Sequence, residues 1–119
     1  MKIKKKNRKF KVGKNNNIII KEVAKIFLGN NEQVTFVSKK TEYDVVRKNW
    51  GYYATPSINK RLKSKGFKTA LVINENKQIY MMLVEKGKIK VFNKYCKDEN
   101  QKRLLWLDEN KKNKILLNL

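Results

Sequence analysis

Several residue types are scarce in this chain of 119 residues, and each scarcity excludes a class of protein or site. There is no histidine and Cys96 is the only cysteine, so an internal disulfide and a zinc site of the Cys/His type are both impossible. The longest wholly apolar run, residues 79–84, is far too short to span a bilayer, so we expect that this chain is not an integral membrane protein. Charged residues interrupt the apolar stretch 18–28, so no export signal follows the basic leader. We expect a cytoplasmic protein without a cofactor.

Acidic residues are scarce as well, since 10 Asp and Glu stand against 30 Lys and Arg and give a formal net charge of +20. Repulsion among so many cations opposes compaction unless an anionic partner offsets it. The alternative explanation is AT-rich coding, which favours lysine, asparagine and isoleucine together, but such coding does not remove acidic residues. Residues 1–16 carry eight basic groups and no acid, and the rest of the chain keeps a surplus of its own. The composition therefore favours a polyanion partner, with nucleic acid first.

The residue pattern predicts one α+β domain between two tails. Residues 1–16 hold few apolar groups and are expected to form a flexible basic arm, and residues 110–119 a basic and apolar C-terminal tail. In the single domain, residues 17–109, β-branched or alternating runs bounded by turn residues predict strands. The predicted strands are residues 18–28, 33–38, 42–48, 70–74, 78–85 and 104–107.

Two helices are predicted in the same domain. Thr55 as N-cap, Pro56 in the first turn and Gly66 at the C-terminal glycine position predict a short first helix. Apolar spacing predicts a second helix over residues 88–97, with Cys96 as a small apolar member, although residues 88–91 alone alternate like a strand. The expected fold is a small, mostly antiparallel sheet with two helices packed on one face, preceded by the flexible basic arm.

Basic and aromatic side chains are concentrated around the start of the first predicted helix. Free N–H groups and the helix dipole favour a phosphate there, and exposed aromatic rings offer stacking faces for unpaired bases. The alternative for Trp50 and the tyrosines is a structural role in the core. The candidate phosphate- and base-binding residues are Arg47, Lys48, Tyr52, Tyr53, Ser57, Lys60, Arg61, Lys63 and Lys65, together with Lys4, Lys5, Lys6 and Arg8 of the arm.

These observations predict a non-enzymatic nucleic-acid-binding protein, with RNA favoured over DNA, because stacking combined with phosphate contacts suits single-stranded or looped RNA. One alternative is an anion- or nucleotide-binding accessory protein in small-molecule metabolism, such as that of nucleotide-sugars, which predicts a pocket-sized ligand. Another is a metal-dependent nuclease, since Asp44, Glu75 and Lys77 loosely match the acid and acid-x-lysine pattern of magnesium nucleases. Membrane-surface binding ranks lower because the leader lacks an amphipathic aromatic face.

A set of short segments carries a resemblance to known sequences. Residues 32–36 (EQVTF), 43–47 (YDVVR), 50–57 (WGYYATPS) and 83–88 (LVEKGK) resemble a group of small bacterial α+β proteins with no assigned activity. The resemblance implies a compact unit that begins near residue 18. It transfers no functional residue, and the basic leader and the high lysine content depart from the group.

Overall fold

Strands make up most of the structure, a computed structural model that describes residues 1–109. They account for 53% of these residues, against 16% in helices. The strands are β1 (Lys2–Val12), β2 (Ile18–Phe27), β3 (Gln33–Ser38), β4 (Thr41–Lys48), β5 (Gly51–Ala54), β6 (Phe67–Ile73), β7 (Ile79–Glu85) and β8 (Lys102–Trp106). The helices are α1 (Arg61–Ser64) and α2 (Ile89–Asp98), the second preceded by a 3₁₀ turn at Lys86–Lys88. Within residues 1–109, no helix is both long and apolar enough to cross a membrane.

The strands of the described residues form three antiparallel sheets: β1 with β2, then β3-β4-β5, then β7-β6-β8. β2, β3 and β4 lie within one residue of the strands predicted there. β6 and β7 form the predicted hairpin, in register from Phe67 opposite Glu85 to Ile73 opposite Ile79. These segments are rich in β-branched residues, which pack well on a pleated surface, and this explains why the pattern located them.

The predicted α+β fold, a sheet with two helices packed on one face, is wrong. Among the described residues only α2 exceeds one helical turn. The first predicted helix is reduced to α1, because the carbonyl of Ser57 accepts the N–H groups of Lys60 and Leu62 in a turn that delays the helix beyond Pro56. No acidic residue in the first turn offsets the crowded cations of this segment. Gly66, with a φ of 93°, ends the turn at the predicted position.

The structure also corrects the expected flexible arm at residues 1–16, because Lys2–Val12 form β1, paired along its length with β2. The few apolar residues of this segment do not indicate a strand by themselves. The isoleucine-rich β2 supplies the missing partner, and the backbone ladder does not depend on side-chain type. The N-terminal amine also forms an ion pair with the carboxylate of Glu32 at 3.3 Å. Backbone pairing therefore holds cations that were expected to be mobile.

The chain divides into two compact units. The first comprises Met1–Thr35 and Asp44–Thr55, and the second comprises Phe36–Tyr43 and residues 56–109. β3 and β4 contribute residues to both. The single-domain boundaries over residues 17–109 stay a prediction, and the predicted tail at 110–119 lies outside the described residues.

The second unit has its core around β6, the central strand of the β7-β6-β8 sheet. Ala70 and Val72 are fully buried on this strand and cluster with Trp106 of β8. α2, which confirms the helix predicted over 88–97, packs against this cluster through Ile89 and Phe92. Burial of these apolar groups is the main source of stability in the unit.

Leu62 attaches α1 to the second unit, since its side chain is buried and α1 contacts β6. We expect Leu62→Ala to lower the free energy of unfolding by about 2–5 kcal/mol, because it removes buried methyl groups and leaves a cavity. Leu104 is a matched control because its side chain is half exposed, and Leu104→Ala is expected to change stability by less than about 0.5 kcal/mol. Urea denaturation followed by circular dichroism measures both variants. Equal losses would contradict the placement of α1 against β6.

Candidate nucleic-acid interface

The β1-β2 sheet is a two-stranded ribbon whose pairing contains a β-bulge. Beyond the Lys5–Ala24 pair, β1 advances one residue more than β2 before pairing resumes. An extra residue shifts the alternation of side chains between the two faces. The shift matches the sequence, in which the apolar positions are odd-numbered at Ile3 and even-numbered at Phe10 and Val12. The bulge therefore keeps these three side chains on one face of the ribbon.

The opposite face of the ribbon gathers lysines, and we call it the lysine face. Alternation along the paired strands assigns six lysines to it. They are Lys2, Lys4, Lys9 and Lys11 of β1, and Lys21 and Lys25 of β2. All six are exposed, and within residues 1–109 none has an acidic partner at ion-pair distance. Alternate residues of a strand are roughly 7 Å apart, so the four lysines of β1 form a row that the bulge interrupts. On β2, the two lysines alternate with the exposed side chains of Phe27, Val23 and Ile19.

Like charges lie directly opposite each other across this ribbon. Lys4 is opposite Lys25, and Lys9 is opposite Lys21. Directly opposed like charges destabilise an antiparallel pair, on a scale of about 0.2–1 kcal/mol for each pair. A polyanion along the lysine face removes this repulsion, because its negative charges lie between the cations. The ribbon is therefore expected to gain stability when a polyanion binds.

The predicted arm residues are distributed over both faces. Lys4 lies on the lysine face, whereas Lys5 and Arg8 lie on the opposite face and Lys6 lies in the bulge. Arg8 is already engaged, because its Nε lies 3.5 Å from the Oε1 of Glu22. The acid of the ribbon is thus kept away from the lysine face.

The other five lysines of this face were not predicted as site residues. Their common face depends on the pairing register and on the bulge, neither of which composition reveals. The alternation of Lys9, Phe10, Lys11 and Val12 is the one signal in the sequence that points to it.

The tip of the β4-β5 hairpin is the second exposed feature of the first unit. Lys48 lies opposite Gly51, so Asn49 and Trp50 form a two-residue turn. The rings of Trp50 and Tyr53, here called the aromatic pair, are stacked with centroids 6.0 Å apart and planes inclined by 20°. Trp50 is 68% exposed and Tyr53 is 45% exposed. Trp50 therefore does not anchor the core, which was the alternative for this residue.

Arg47 and Tyr52 form a separate pair on the same hairpin. They lie directly opposite each other in the register, and the guanidinium carbon is 4.9 Å from the centre of the Tyr52 ring. Nη1 of Arg47 also donates to the carbonyl of Gly51 at 3.2 Å. Because adjacent residues of a strand point to opposite faces, the side chains of Tyr52 and Tyr53 lie on opposite faces of the hairpin. The two predicted stacking residues therefore do not belong to one site.

Hydrogen bonds connect the hairpin tip to the turn that follows β2. Nζ of Lys48 donates to Oδ1 of Asn31, and the backbone N–H of Asn49 donates to Oδ1 of Asn30 at 2.9 Å. The N–H of Asn31 donates in turn to the carbonyl of Arg47 at 2.8 Å. The turn comes directly after β2, so the aromatic pair is held beside one end of the ribbon.

The first unit is cationic throughout, with twelve basic residues and three acidic ones. Each acid has a donor of its own. Glu22 is in the ion pair on the ribbon, and Asp44 accepts the hydroxyl of Thr35 at 2.6 Å. The carboxylate of Glu32 accepts the Gly29 N–H at 2.6 Å, and this bond, followed by the N-terminal amine, lowers the pKa of Glu32 below its ordinary value. The cations of the lysine face are thus left without acidic neighbours.

Comparison with known proteins assigns no family. No protein-family model, curated protein or solved structure matches the chain. The resemblance of residues 32–88 to a group of small bacterial proteins stays a prediction. Function has to follow from the geometry of the site, because fold class alone does not determine it.

The predicted phosphate site at a helix N-terminus is not formed as expected. α1 begins at Arg61 and has four residues, and the hydroxyl of Ser57 accepts the Arg61 N–H at 3.2 Å. A single turn has too few aligned peptides to build a strong dipole. Lys65 forms an ion pair with Glu42 at 3.7 Å. The predicted residues Ser57, Lys60, Arg61, Lys63 and Lys65 are exposed and belong to the second unit, whereas Arg47, Lys48, Tyr52 and Tyr53 belong to the first.

The second unit contains an apolar groove of about 750 Å³. Its walls include Phe36 near the β3-β4 turn, Met82 of β7 and Phe92 of α2. Lys88 is the one cation among its lining residues, and Glu85 is the one acid. A pocket-sized anion, which the nucleotide-binding alternative predicts, would meet a mostly apolar wall here.

The residues that suggested a nuclease fall in different parts of the chain. Asp44 belongs to the first unit, and Glu75 lies in the β6-β7 turn of the second. The carboxylate of Glu75 accepts a hydrogen bond from the side-chain amide of Asn100. In the described part of the chain, no three side chains of the metal-binding types come together.

Cys96 is buried on α2, and burial raises the pKa of its thiol above the ordinary value, an effect that Arg103 opposes only in part. A raised pKa lowers the thiolate fraction at any given pH, and the thiolate is the reactive form. We therefore expect a thiol reagent at pH 8 to modify the native protein much more slowly than the urea-unfolded protein. Glutathione in the same buffer controls for the reagent. Equal rates for the native and unfolded protein would show that Cys96 is accessible.

Proposed function

We propose that this protein binds nucleic acid without enzymatic activity, that it favours RNA over DNA, and that the lysine face makes the phosphate contacts. The observation that carries the proposal is the set of six exposed lysines on one face of the ribbon, four of which oppose each other directly. Phosphate contacts of this kind release counterions and supply most of the affinity of non-specific nucleic-acid binding.

The extent of the lysine face favours a long polyanion over a small one. The lysines of β1 range from Lys2 to Lys11, and a strand of this length extends over roughly 30 Å. A pocket-sized anion can neutralise only one or two of these charges at a time. A nucleic acid presents phosphates continuously and can neutralise the whole row.

RNA is favoured because the same unit also exposes aromatic rings beside its cations. Recognition of RNA through its bases takes place mainly at unpaired segments, where bases are free to stack on aromatic side chains. Lys60, Arg61, Lys63 and Lys65 of the second unit add positive charge to the protein as a whole. A cytoplasmic location, expected from the cysteine content, is part of the proposal.

The affinity for RNA is expected to fall steeply as salt rises. For a single strand, six phosphate contacts give a slope of log K against log salt of roughly −4. Changing Lys4, Lys9 and Lys11 together to glutamine should weaken binding and reduce this slope by about 2, because three contacts are lost. Fluorescence anisotropy with a labelled unstructured RNA, repeated at several salt concentrations, measures both quantities.

The control for this experiment is the triple change of Lys86, Lys90 and Lys97 to glutamine. These lysines are exposed in the second unit, so the variant loses the same net charge but keeps the lysine face. Its slope is expected to stay close to that of the unchanged protein. If both triple variants lose affinity equally, bulk charge and not the lysine face is responsible. Affinity that does not change with salt would refute the proposed function.

A further inference from the structure

We propose that the aromatic pair, Trp50 and Tyr53, is a stacking platform for an unpaired base, so that the nucleic acid bound by this protein is single-stranded. This inference rests on the proposed function and specifies its substrate. The lysine face alone does not distinguish a single strand from a duplex, because both present phosphates. A platform that needs an unpaired base makes that distinction.

Local folding does not explain the tryptophan in this position. The positive φ of this hairpin falls at Gly51 and not at Asn49 or Trp50, so the turn backbone accepts almost any residue at position 50 and requires no tryptophan there. The large apolar ring of Trp50 stays mostly in water instead of packing in a core, although burial of such a ring is strongly favourable. A ligand that covers the ring is therefore expected.

The geometry of the aromatic pair leaves one face of the Trp50 ring open for a base to stack on. Trp50 contacts Tyr53 through one ring face at most, and its large exposed fraction leaves the other ring face open to solvent. The inclination of 20° is close to parallel, so a base on the open face of Trp50 would continue an existing stack. Tyr53 stacks against the other face of the indole and restricts its rotation, so the Trp50 side chain loses less conformational entropy when a base binds.

The hairpin tip is also held firmly in place. The backbone of Asn49, next to Trp50, donates to the side chain of Asn30, and Arg47 is fixed by its contacts with Tyr52 and Gly51. The bond between Asn49 and Asn30 attaches the platform to the turn that follows β2 of the ribbon. A rigid platform beside a row of cations allows one strand to place its phosphates on lysines and a base on the ring.

Charge complementarity identifies the occupant as a nucleic acid. Lys48 lies beside the platform, and all three acids of the first unit are engaged by donors within that unit. A cationic surface without free carboxylates repels another cationic surface, so a second copy of this chain is disfavoured. An unpaired base attached to a phosphate backbone offers both a flat aromatic ring and negative charge.

Two oligonucleotides of equal length test the platform: oligo(dT), and a fully abasic strand with the same number of phosphates. Trp50→Ala should weaken binding of oligo(dT) by roughly 5- to 150-fold, the range expected for one stacked base, and leave the abasic strand unaffected. Trp50→Phe should retain most of the affinity, because it keeps a ring. Tyr80→Ala is the matched control, since it removes an exposed ring from β7 of the second unit and is expected to leave the affinity for both strands unchanged.

The possible outcomes separate this inference from the proposed function. If Trp50→Ala weakens both strands equally, or neither, the platform is refuted, while salt-dependent binding of both strands still supports the proposed function. If neither strand binds at low salt, both proposals fail together. Burial of Trp50 upon self-association without nucleic acid, seen as concentration-dependent fluorescence and sedimentation, would also overturn the platform. Circular dichroism verifies that each variant is folded.

Discussion

Backbone pairing between β1 and β2 is the interaction on which the organisation of the first unit depends. β1 carries seven cations among eleven residues, and in an unpaired chain their repulsion would favour expansion. The ladder fixes these residues in an extended conformation regardless of their side chains, and alternation then sorts the side chains between two faces. The one acid of the ribbon lies on the same face as Ile3, Phe10 and Val12, and the six lysines lie on the other face together with Ile19, Val23 and Phe27.

Two kinds of interaction contribute to binding at the proposed interface. The lysine face supplies attraction that acts at a distance, does not depend on base identity and weakens with salt. The aromatic pair supplies a short-range contact that depends on an accessible base and little on salt. Such a combination predicts fast association guided by charge, followed by retention of those strands that can place a base on Trp50.

Strand positions were the most predictable part of this fold, and registers were the least. The runs that became β2, β3 and β4 are rich in β-branched residues, so local pattern was sufficient. β1 was missed because its strand character comes from its partner. The apolar β7 lies at the edge of its sheet and exposes Ile79, Tyr80 and Met81, because β6 occupies the centre between β7 and β8.

The candidate site was predictable in composition but not in arrangement. Stacking aromatics and phosphate-binding cations were expected around Arg47, and the rings there are indeed exposed. The helix signal at Thr55 and Pro56 was misleading, because Ser57 forms a local turn that competes with a helix. Trp50 is a possible stacking ring by composition, but a core role is favoured for it because large aromatics are usually buried, and its exposed fraction of 68% in the turn overturns that preference.

Pairing with β2 makes the length of β1 more constrained than its composition. Exchange of lysine for arginine, or of one β-branched residue for another, leaves every side chain on its own face. Loss of Lys9 would instead move Phe10 to the position opposite Lys21, on the lysine face, whereas loss of the extra residue in the bulge would restore regular pairing and leave every face unchanged. Related sequences are therefore expected to vary freely in residue type along this segment and to preserve its residue count on either side of the bulge.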